Sequence, residues 1–540
     1  MVNTLSVPTA AEGGHHSAMA PSQITHPDGR VDLSDTAPLR GSRFFNDELA
    51  PVPVEKRTWN TYNYFALWMG MAHNIPSYAL AASLIALGMN WLQALITITL
   101  GNLIVLIPML LNSHAGTKYG IPFPVFARAF YGIRGANFAA LLRAFIACGW
   151  FGIQTWVGGE AIYILIGKLA GNGWRHASEV GGQPWTLWLS FGVFWIVQLL
   201  IIWRGMDAVR RFENWTAPLV SVGFLILLGY VLVKAGGLGP ILSEPSKLGW
   251  SGDFWKVFAP SLMAMIAFWS TLSLNMPDFT RFGGSQAKQV RGQLLGLPTT
   301  MTFIAVVAIL TTSGGQLLYG EAIWDPAQLA DRFTSPVLVV VALIALVLAT
   351  ISANLAANVV SPSYDFSNAF PKRVTFALGG LITGVIGVAI QPWRLYSDPS
   401  IYIFAWLGFY GGILGAVAGV LVAGYWVRRR RTLDLAGLYT EGGRYWFRAG
   451  WSWQALVATI VGAVLAVGGA YTAPGSAGPF PADGLIPFLK PLYDYSWVAG
   501  LAGGFVVYLV LTLPGRAAEE KEEVSEQPGQ GRLGAAAVDG

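Results

Sequence analysis

Charge and thiols are what this chain has least of. It contains one cysteine, Cys148, in 540 residues, so an intrachain disulfide is impossible and neither a disulfide-framed ectodomain nor a thiolate metal cluster fits. Set in an apolar stretch, Cys148 reads as a small buried hydrophobe. Charged residues make up 12% of the chain, against about 25% in a typical soluble protein. With 54% hydrophobic residues and a mean hydropathy of +0.51, there is too little polar surface to clothe soluble cores. That excludes a disordered chain and argues against a cytosolic enzyme. Catalytic signatures are missing too. No HExxH, GxSxG or GxxxxGKS/T run and no aspartate cluster at metal spacing occurs, which removes the common zinc-hydrolase, serine-hydrolase and phosphate-loop classes. A membrane enzyme is therefore disfavoured, and no cofactor is expected.

What the chain does have is long apolar runs. A bilayer crossing takes about 20 mostly apolar residues, and twelve such spans fall near 63–87, 91–111, 136–167, 184–203, 214–235, 257–277, 295–319, 334–361, 374–392, 400–425, 452–472 and 486–512. All are expected to be helices, because a barrel would show alternating segments of about ten residues. Residues 1–60, polar and without an apolar leader segment, read as a cytoplasmic tail in which the pair His15 and His16 has no further metal-ligand partner. The expected organisation continues with ten spans over 61–425, a basic cytoplasmic loop over 426–451, two more spans over 452–512 and a second cytoplasmic tail over 513–540.

An even number of spans puts both ends on one side. Loops on that side carry 17 Lys and Arg against 8 on the other, which orients both ends to the cytoplasm of a multi-pass protein in the cell (inner) membrane. The same loop placement accounts for the net charge of +5 without nucleic acid as a partner; the partners expected are the bilayer and small solutes.

One internal repeat points to a site. Trp68-Met-Gly-Met-Ala-His-Asn74-Ile-Pro76 in the first span and Trp269-Ser-Thr-Leu-Ser-Leu-Asn275-Met-Pro277 in the sixth share the pattern W-x5-N-x-P. Proline in a spanning helix frees backbone carbonyls, tolerated where the helix lines a cavity. Paired breaks in matching halves mark the binding site of transporters built from inverted repeats, although two ordinary kinks would give the same letters. In the third span Trp150 and Gln154 lie four apart, so an indole and an amide share one helix face. That pair suits a planar heterocycle, which stacks on the ring and exchanges hydrogen bonds with the amide. Core packing is the alternative for Trp150. Asn354 and Asn358 in the eighth span are also four apart, either as site residues or as bridges between helices.

Acidic groups in the spans are few. Glu160 is six residues past Gln154, about 240° around the helix and off the Trp150 face. With His73 it is a candidate proton carrier, whereas Asp278 beside Arg281 reads as a cytoplasmic gate or loop anchor. Gly411, Gly415 and Gly419 form a small-residue ladder for helix packing.

These residues resemble a known family. Asn46-Asp47-Glu48-Leu49-Ala50-Pro51, Trp150-Phe-Gly-Ile-Gln154-Thr-Trp156, Pro277-Asp278-Phe-Thr-Arg281, Ala356-Ala357-Asn358-x-x-Ser361-Pro362 and the run Arg428–Arg431 are similar to the nucleobase-cation-symport family 1, carriers of nucleobases, allantoin and hydantoins. The resemblance spans residues 45–515. It implies an all-α, leucine-transporter-like fold, spans one to five and six to ten being inverted repeats followed by two extra helices. It also implies that Trp150 and Trp269 sandwich the substrate ring and that Gln154 and Asn358 bond its amide edge. Asn74 stands where hydantoin-carrying members have glutamine, Phe268 where they have glycine, and Ile403 lines the pocket from the tenth span. A sodium site would draw on Gly70, His73, Ala349 and Ser352, with Ala353 in place of a threonine. The function implied is cation-coupled import, by alternating access, of a small planar nitrogen heterocycle of uracil, allantoin or hydantoin type, with Na+ or H+ as coupling ion. A proton-coupled permease for cytosine, purines or vitamin-like rings is the nearest alternative. An amino-acid carrier of the same fold is more distant, since a zwitterion needs charged partners.

Overall fold

The structure is a computed structural model that describes residues 22–204, 221–473 and 475–515. The first residues of the expected fifth span, the His15–His16 pair and the acidic segment around Glu519 lie outside the described residues. Among these, six helices are long and apolar enough to cross a bilayer unaided: Trp91–Tyr119, Ala136–Ala170, Trp185–Trp203, Gln286–Tyr319, Pro336–Ala369 and Ile401–Arg428. The remaining crossings are broken, bent or short. The fifth is seen as Ser221–Lys234, the ninth as Phe376–Ala389 and the eleventh as Trp453–Val467, while the twelfth, Ser496–Thr512, follows a 103° bend.

Burial along the second span shows which medium each face meets. Leu92, Ile96, Leu100, Leu103 and Ile107 recur three or four residues apart and are exposed, whereas Ile98, Asn102 and Val105 are buried. The face turned outward is aliphatic, as a lipid-facing helix requires.

Both repeat spans break, at different points of the shared motif. The first divides into Thr61–Ala72 and Ile75–Ala86, with Pro76 in the first turn of the second half, where its missing N–H is not needed. The Asn74 side chain joins the halves: its Nδ2 donates to the Met71 carbonyl at 2.6 Å and its Oδ1 accepts from the Ser77 N–H at 2.8 Å. The sixth span runs Gly252–Phe268, turns at Trp269, and resumes as Ser270–Asn275 and Pro277–Thr280. The eighth, one continuous crossing, is interrupted only at the single residue Val359, between Pro336–Asn358 and Val360–Ala369. The tenth is wound with wider turns at both ends, Ile401–Leu407 and Ala423–Arg428, a feature frequent at functional sites.

The glycine ladder packs as expected. A methyl on Gly411 would strike Ala267 beside the sixth-span break, and one on Gly415 or Gly419 would strike the backbone of the twelfth span at Trp497 or Leu501.

The segment before the first span is no free tail where it is described. Val31, Leu33, Leu39, Phe45 and Leu49 are buried, packed with Leu433, Leu435 and Tyr439 of the loop over 426–451. Gln23 donates to the Leu433 carbonyl, Ser42 to that of Tyr439, and Tyr439 to that of Leu49. Their apolar residues follow neither helical nor strand period, so pattern reading sees only polar loop.

Candidate substrate site

The residues expected to line a substrate site all lie within the bundle: Trp150, Gln154, Phe268, Trp269, Asn74 and Asn358 are 3–6% exposed and Ile403 is fully buried. The aromatic ones form one chain. Trp68 and Trp269, the matching tryptophans of the two repeats, contact each other edge to face at 5.1 Å. Phe268 stands against Trp269 at 4.9 Å and against Trp150 at 5.0 Å, again edge to face. Phe268 thus occupies the place between the two tryptophans where a smaller residue would leave a gap, and an open sandwich of Trp150 and Trp269 is not the arrangement seen.

The tenth span holds Trp150 in place. Trp150 Nε1 donates to the Tyr410 hydroxyl at 3.0 Å, and that hydroxyl donates to the Ala267 carbonyl, freed next to the sixth-span break, at 2.8 Å. Tyr402, Trp406, Tyr410 and Phe268 surround Trp150 at 69–88° between planes, so none stacks parallel to it. Sequence reading missed Tyr402, Trp406 and Tyr410 as site residues; their four-residue spacing on one helix was the available signal.

Polar atoms in the site are left open. Gln154 Oε1, Trp269 Nε1 and Trp68 Nε1 are buried without a hydrogen-bond partner, and each such group costs about 1–3 kcal/mol. One acceptor and two indole donors are the complement of a flat ring carrying both N–H and C=O groups. Asn354 and Asn358 divide the two roles open to them. Asn354 is the bridge between helices, donating to Gln198 Oε1 at 2.7 Å and to the Phe151 carbonyl at 3.1 Å, while Asn358 Nδ2 donates to Asn354 Oδ1 at 2.9 Å. The bridge orients Asn358 and uses its N–H; among the described residues no group donates to its carbonyl oxygen. Asn74 caps both half-helices, with one amide hydrogen on the Met71 carbonyl and its oxygen on the Ser77 N–H.

The break in the first span bears on a cation. In an unbroken helix the Asn74 and Ser77 N–H groups would close on the Gly70 and His73 carbonyls. Here Asn74 N–H goes to Ala72 and Ser77 N–H to Asn74 Oδ1, which leaves those two carbonyls available. A side chain at Gly70 would meet open space. The Ser352 hydroxyl has no hydrogen-bond partner among the described residues, unlike that of Thr350, which donates to the Leu346 carbonyl. Carbonyl and hydroxyl oxygens of this kind fit a small hard cation; Ala349 adds only its backbone, and Ala353 adds no side-chain oxygen. The His73 ring turns away, to Ser221 Oγ at 3.2 Å and to the face of Phe303.

Asp278 is a structural anchor. It is buried, accepts the Phe123 N–H at 2.7 Å and so fixes the start of the helix Phe123–Tyr131, where a negative charge suits the helix dipole. Arg281 instead holds the Glu48 and Ala50 carbonyls. Glu160 lies late in the third span, bonded to Gln328.

Comparison with known proteins gives the same picture. Residues 51–500 match the family described as permease for cytosine/purines, uracil, thiamine and allantoin. An allantoin permease of Bacillus subtilis is 43% identical over 480 residues, covering 87% of this chain and 94% of the relative. A purine-uracil permease of Arabidopsis thaliana is 38% identical over 503 residues, 93% of this chain and 82% of its own. Among solved structures, the nucleobase-cation-symport-1 family transporter Mhp1, closed with bromovinylhydantoin bound, superposes with a TM-score of 0.70 at 23% identity over 88% of this chain and 96% of that one. A Na+-coupled sialic acid symporter shares the fold at a TM-score of 0.56 and 14% identity over 87% of this chain and 93% of its own. The twelve-helix, leucine-transporter-like architecture is thereby established. The chain belongs to the permease family for cytosine/purines, uracil, thiamine and allantoin, and is a multi-pass membrane transporter rather than an enzyme.

Proposed function

We propose that this transporter is a cation-coupled symporter that imports a small planar nitrogen heterocycle, of allantoin or uracil type, by alternating access. The observation that carries this reading is the orphaned Gln154 Oε1 one helical turn from Trp150: an amide acceptor beside an indole is completed by a neutral ring with an N–H edge. Charged partners for a zwitterion are not among the residues lining the site, which disfavours an amino acid. The relatives named for allantoin and for purines and uracil support this substrate class.

Transport would follow from the geometry in stages. The ring enters against Trp150, displaces or stacks on Phe268, and donates hydrogen bonds to the amide oxygens of Gln154 and Asn358. Breaks at Asn74, Trp269 and Val359 supply joints about which the helix halves pivot. Both ends of the chain lie in the cytoplasm and the membrane is the cell membrane, on the distribution of Lys and Arg among the loops. Uptake of labelled allantoin, uracil and hydantoin into proteoliposomes, under imposed sodium or proton gradients, tests the reading. Accumulation of at least one ring under one gradient supports it, and absence of uptake for all three under both overturns it.

A further inference from the structure

The outer end of the third span carries an acidic arrangement that substrate binding does not use. Glu160 comes from that span and Asp325 from the loop between the seventh and eighth spans, where it caps the short helix Pro326–Asp331. Gln328 touches both carboxyls: its side-chain N–H donates to Glu160 Oε1 at 3.0 Å and its backbone N–H to Asp325 Oδ1 at 3.2 Å. The Ala327 N–H also donates to Asp325 Oδ1, at 2.8 Å. Asp325 is 1% exposed, and its other oxygen, Oδ2, is buried with no partner. The Tyr396 hydroxyl, from the loop before the tenth span, faces the same carboxyl. Tyr396 is 5% exposed and its hydroxyl too closes no hydrogen bond.

Basic groups nearby are engaged elsewhere. Lys168 and Arg175 both bind Asp331, at the opposite end of the Pro326–Asp331 helix, at 2.9 and 2.6 Å, and Arg332 binds Glu321 at 2.8 Å. The remaining titratable neighbours are tyrosines: Tyr163 one turn along the third span from Glu160, and Tyr78 of the first span, facing Asp325. Glu160 and Asp325 are bonded to the same residue, Gln328, and among the described residues no Lys or Arg forms an ion pair with either carboxyl, so ionising both is costly. Burial pushes the Asp325 carboxyl above its ordinary value.

We propose that Glu160, Asp325 and Tyr396 form a proton-binding site at the outer mouth of the transporter, in which the two carboxyls linked by Gln328 retain one proton. A proton fits better than a metal ion, because the groups turned to the carboxyls are donors, the Gln328 amide and the Tyr396 hydroxyl, and not a cage of carbonyls. The site is connected to the substrate pocket by rings: Trp324 and Tyr396 meet at 4.6 Å, Tyr396 and Tyr402 at 5.3 Å, Tyr402 and Trp150 at 6.1 Å. Tyr402 also donates to the Pro76 carbonyl in the second half of the first span, at 3.2 Å. Protonation state at the mouth thus bears on the helices that close over the ring. The coupling role rests on the symport reading; the proton site does not.

Infrared difference titration of the full chain in lipid bilayers tests the site without any substrate. A protonated-carboxyl stretching band persisting at neutral pH is expected in the unaltered chain. Glu160→Gln and Asp325→Asn should each move its titration midpoint down by about one pH unit or more, tenfold in proton affinity, and the double variant should remove it. Tyr396→Phe should shift the band frequency and keep its amplitude. Absence of the band in the unaltered chain, its loss on adding sodium at fixed pH, or a band indifferent to all three substitutions overturns the proposal. Uptake of labelled allantoin and uracil then addresses coupling: Glu160→Gln should abolish stimulation by a proton gradient and retain exchange. Stimulation undiminished in Glu160→Gln overturns the coupling role. Absence of uptake by the unaltered chain would refute symport of these rings while the infrared result stands.

Discussion

The two repeats carry the same W-x5-N-x-P motif and use it differently. In the first, the helix breaks just before Asn74 and the asparagine closes the gap itself, one amide bonding both halves. In the sixth span the turn falls at Trp269, and Asn275 reaches across to Ser361 and Asp278 instead of capping. The first break is thus a tied joint that leaves the Gly70 and His73 carbonyls without their helical partners. The second is an open joint lined by rings, with Trp269 Nε1 and the neighbouring Gln154 Oε1 left for a ligand. On the proposed reading, one motif is divided into an ion side and a substrate side.

Cutting the tie should do the most damage. Asn74→Ala removes an N-cap, about 1–2 kcal/mol, and strands the buried Met71 carbonyl, about 1–3 kcal/mol. We expect a marked fall in the melting temperature of the solubilised protein, partly restored by Asn74→Ser, which keeps a capping oxygen. A melting temperature equal to that of the unaltered chain would show that the two joints are equivalent.

On the open side, Trp150→Ala, Gln154→Ala and Asn358→Ala should each weaken binding of the transported ring more than tenfold. Losing the indole costs about 0.5–1.5 kcal/mol of ring contact on top of about 1.5–3 kcal/mol of buried apolar area, and an unpaired buried amide about 1–3 kcal/mol. Trp269→Phe, which keeps a ring face, should cost less. Equilibrium binding of labelled ring to membranes measures all four, and undiminished affinity in the three alanine variants would remove the site from this pocket.

Phe268 sharpens the contrast from within the open joint. Because it fills the place between Trp150 and Trp269, Phe268→Gly should admit bulkier rings: competition by 5-substituted hydantoins should strengthen several-fold while binding of the smallest rings falls. Unchanged ranking of competitors would mean that Phe268 already moves aside at no cost.

Much of this division was legible in letters alone, and the misses have a common cause. The spans, the paired prolines and the Trp150–Gln154 face follow from periodicity and spacing, which local sequence encodes. That Asn74 caps both half-helices depends on where Met71 and Ser77 point once the helix has broken, which the resemblance to glutamine-bearing relatives does not record. Asn354 and Asn358 looked alike because only the position of Gln198, in another span, separates bridge from ligand. The contacts of Tyr439 with the Phe45 ring and the Leu49 carbonyl join segments some 390 residues apart, and no local pattern records a contact of that kind.

The smallest effect is expected where the ion side lacks an oxygen. Gly70 and His73 offer carbonyls and Ser352 a free hydroxyl, but Ala353 beside it contributes none and is fully buried. If sodium binds there, it must raise substrate affinity by the same factor by which substrate raises its own. Ala353→Thr restores an oxygen and should lower the sodium concentration needed for half-maximal effect a few-fold. The substitution also adds two heavy atoms to a packed position, at about 1–3 kcal/mol if neighbours cannot shift. Ala353→Val is the control, because it has nearly the same shape and no oxygen. A sodium response strengthened by threonine and not by valine assigns the effect to coordination. Equal substrate affinity in sodium and in choline at constant pH, for the unaltered chain and for Ala353→Thr alike, would exclude sodium from the first-span joint and leave the outer carboxyl pair as the ion side of this transporter.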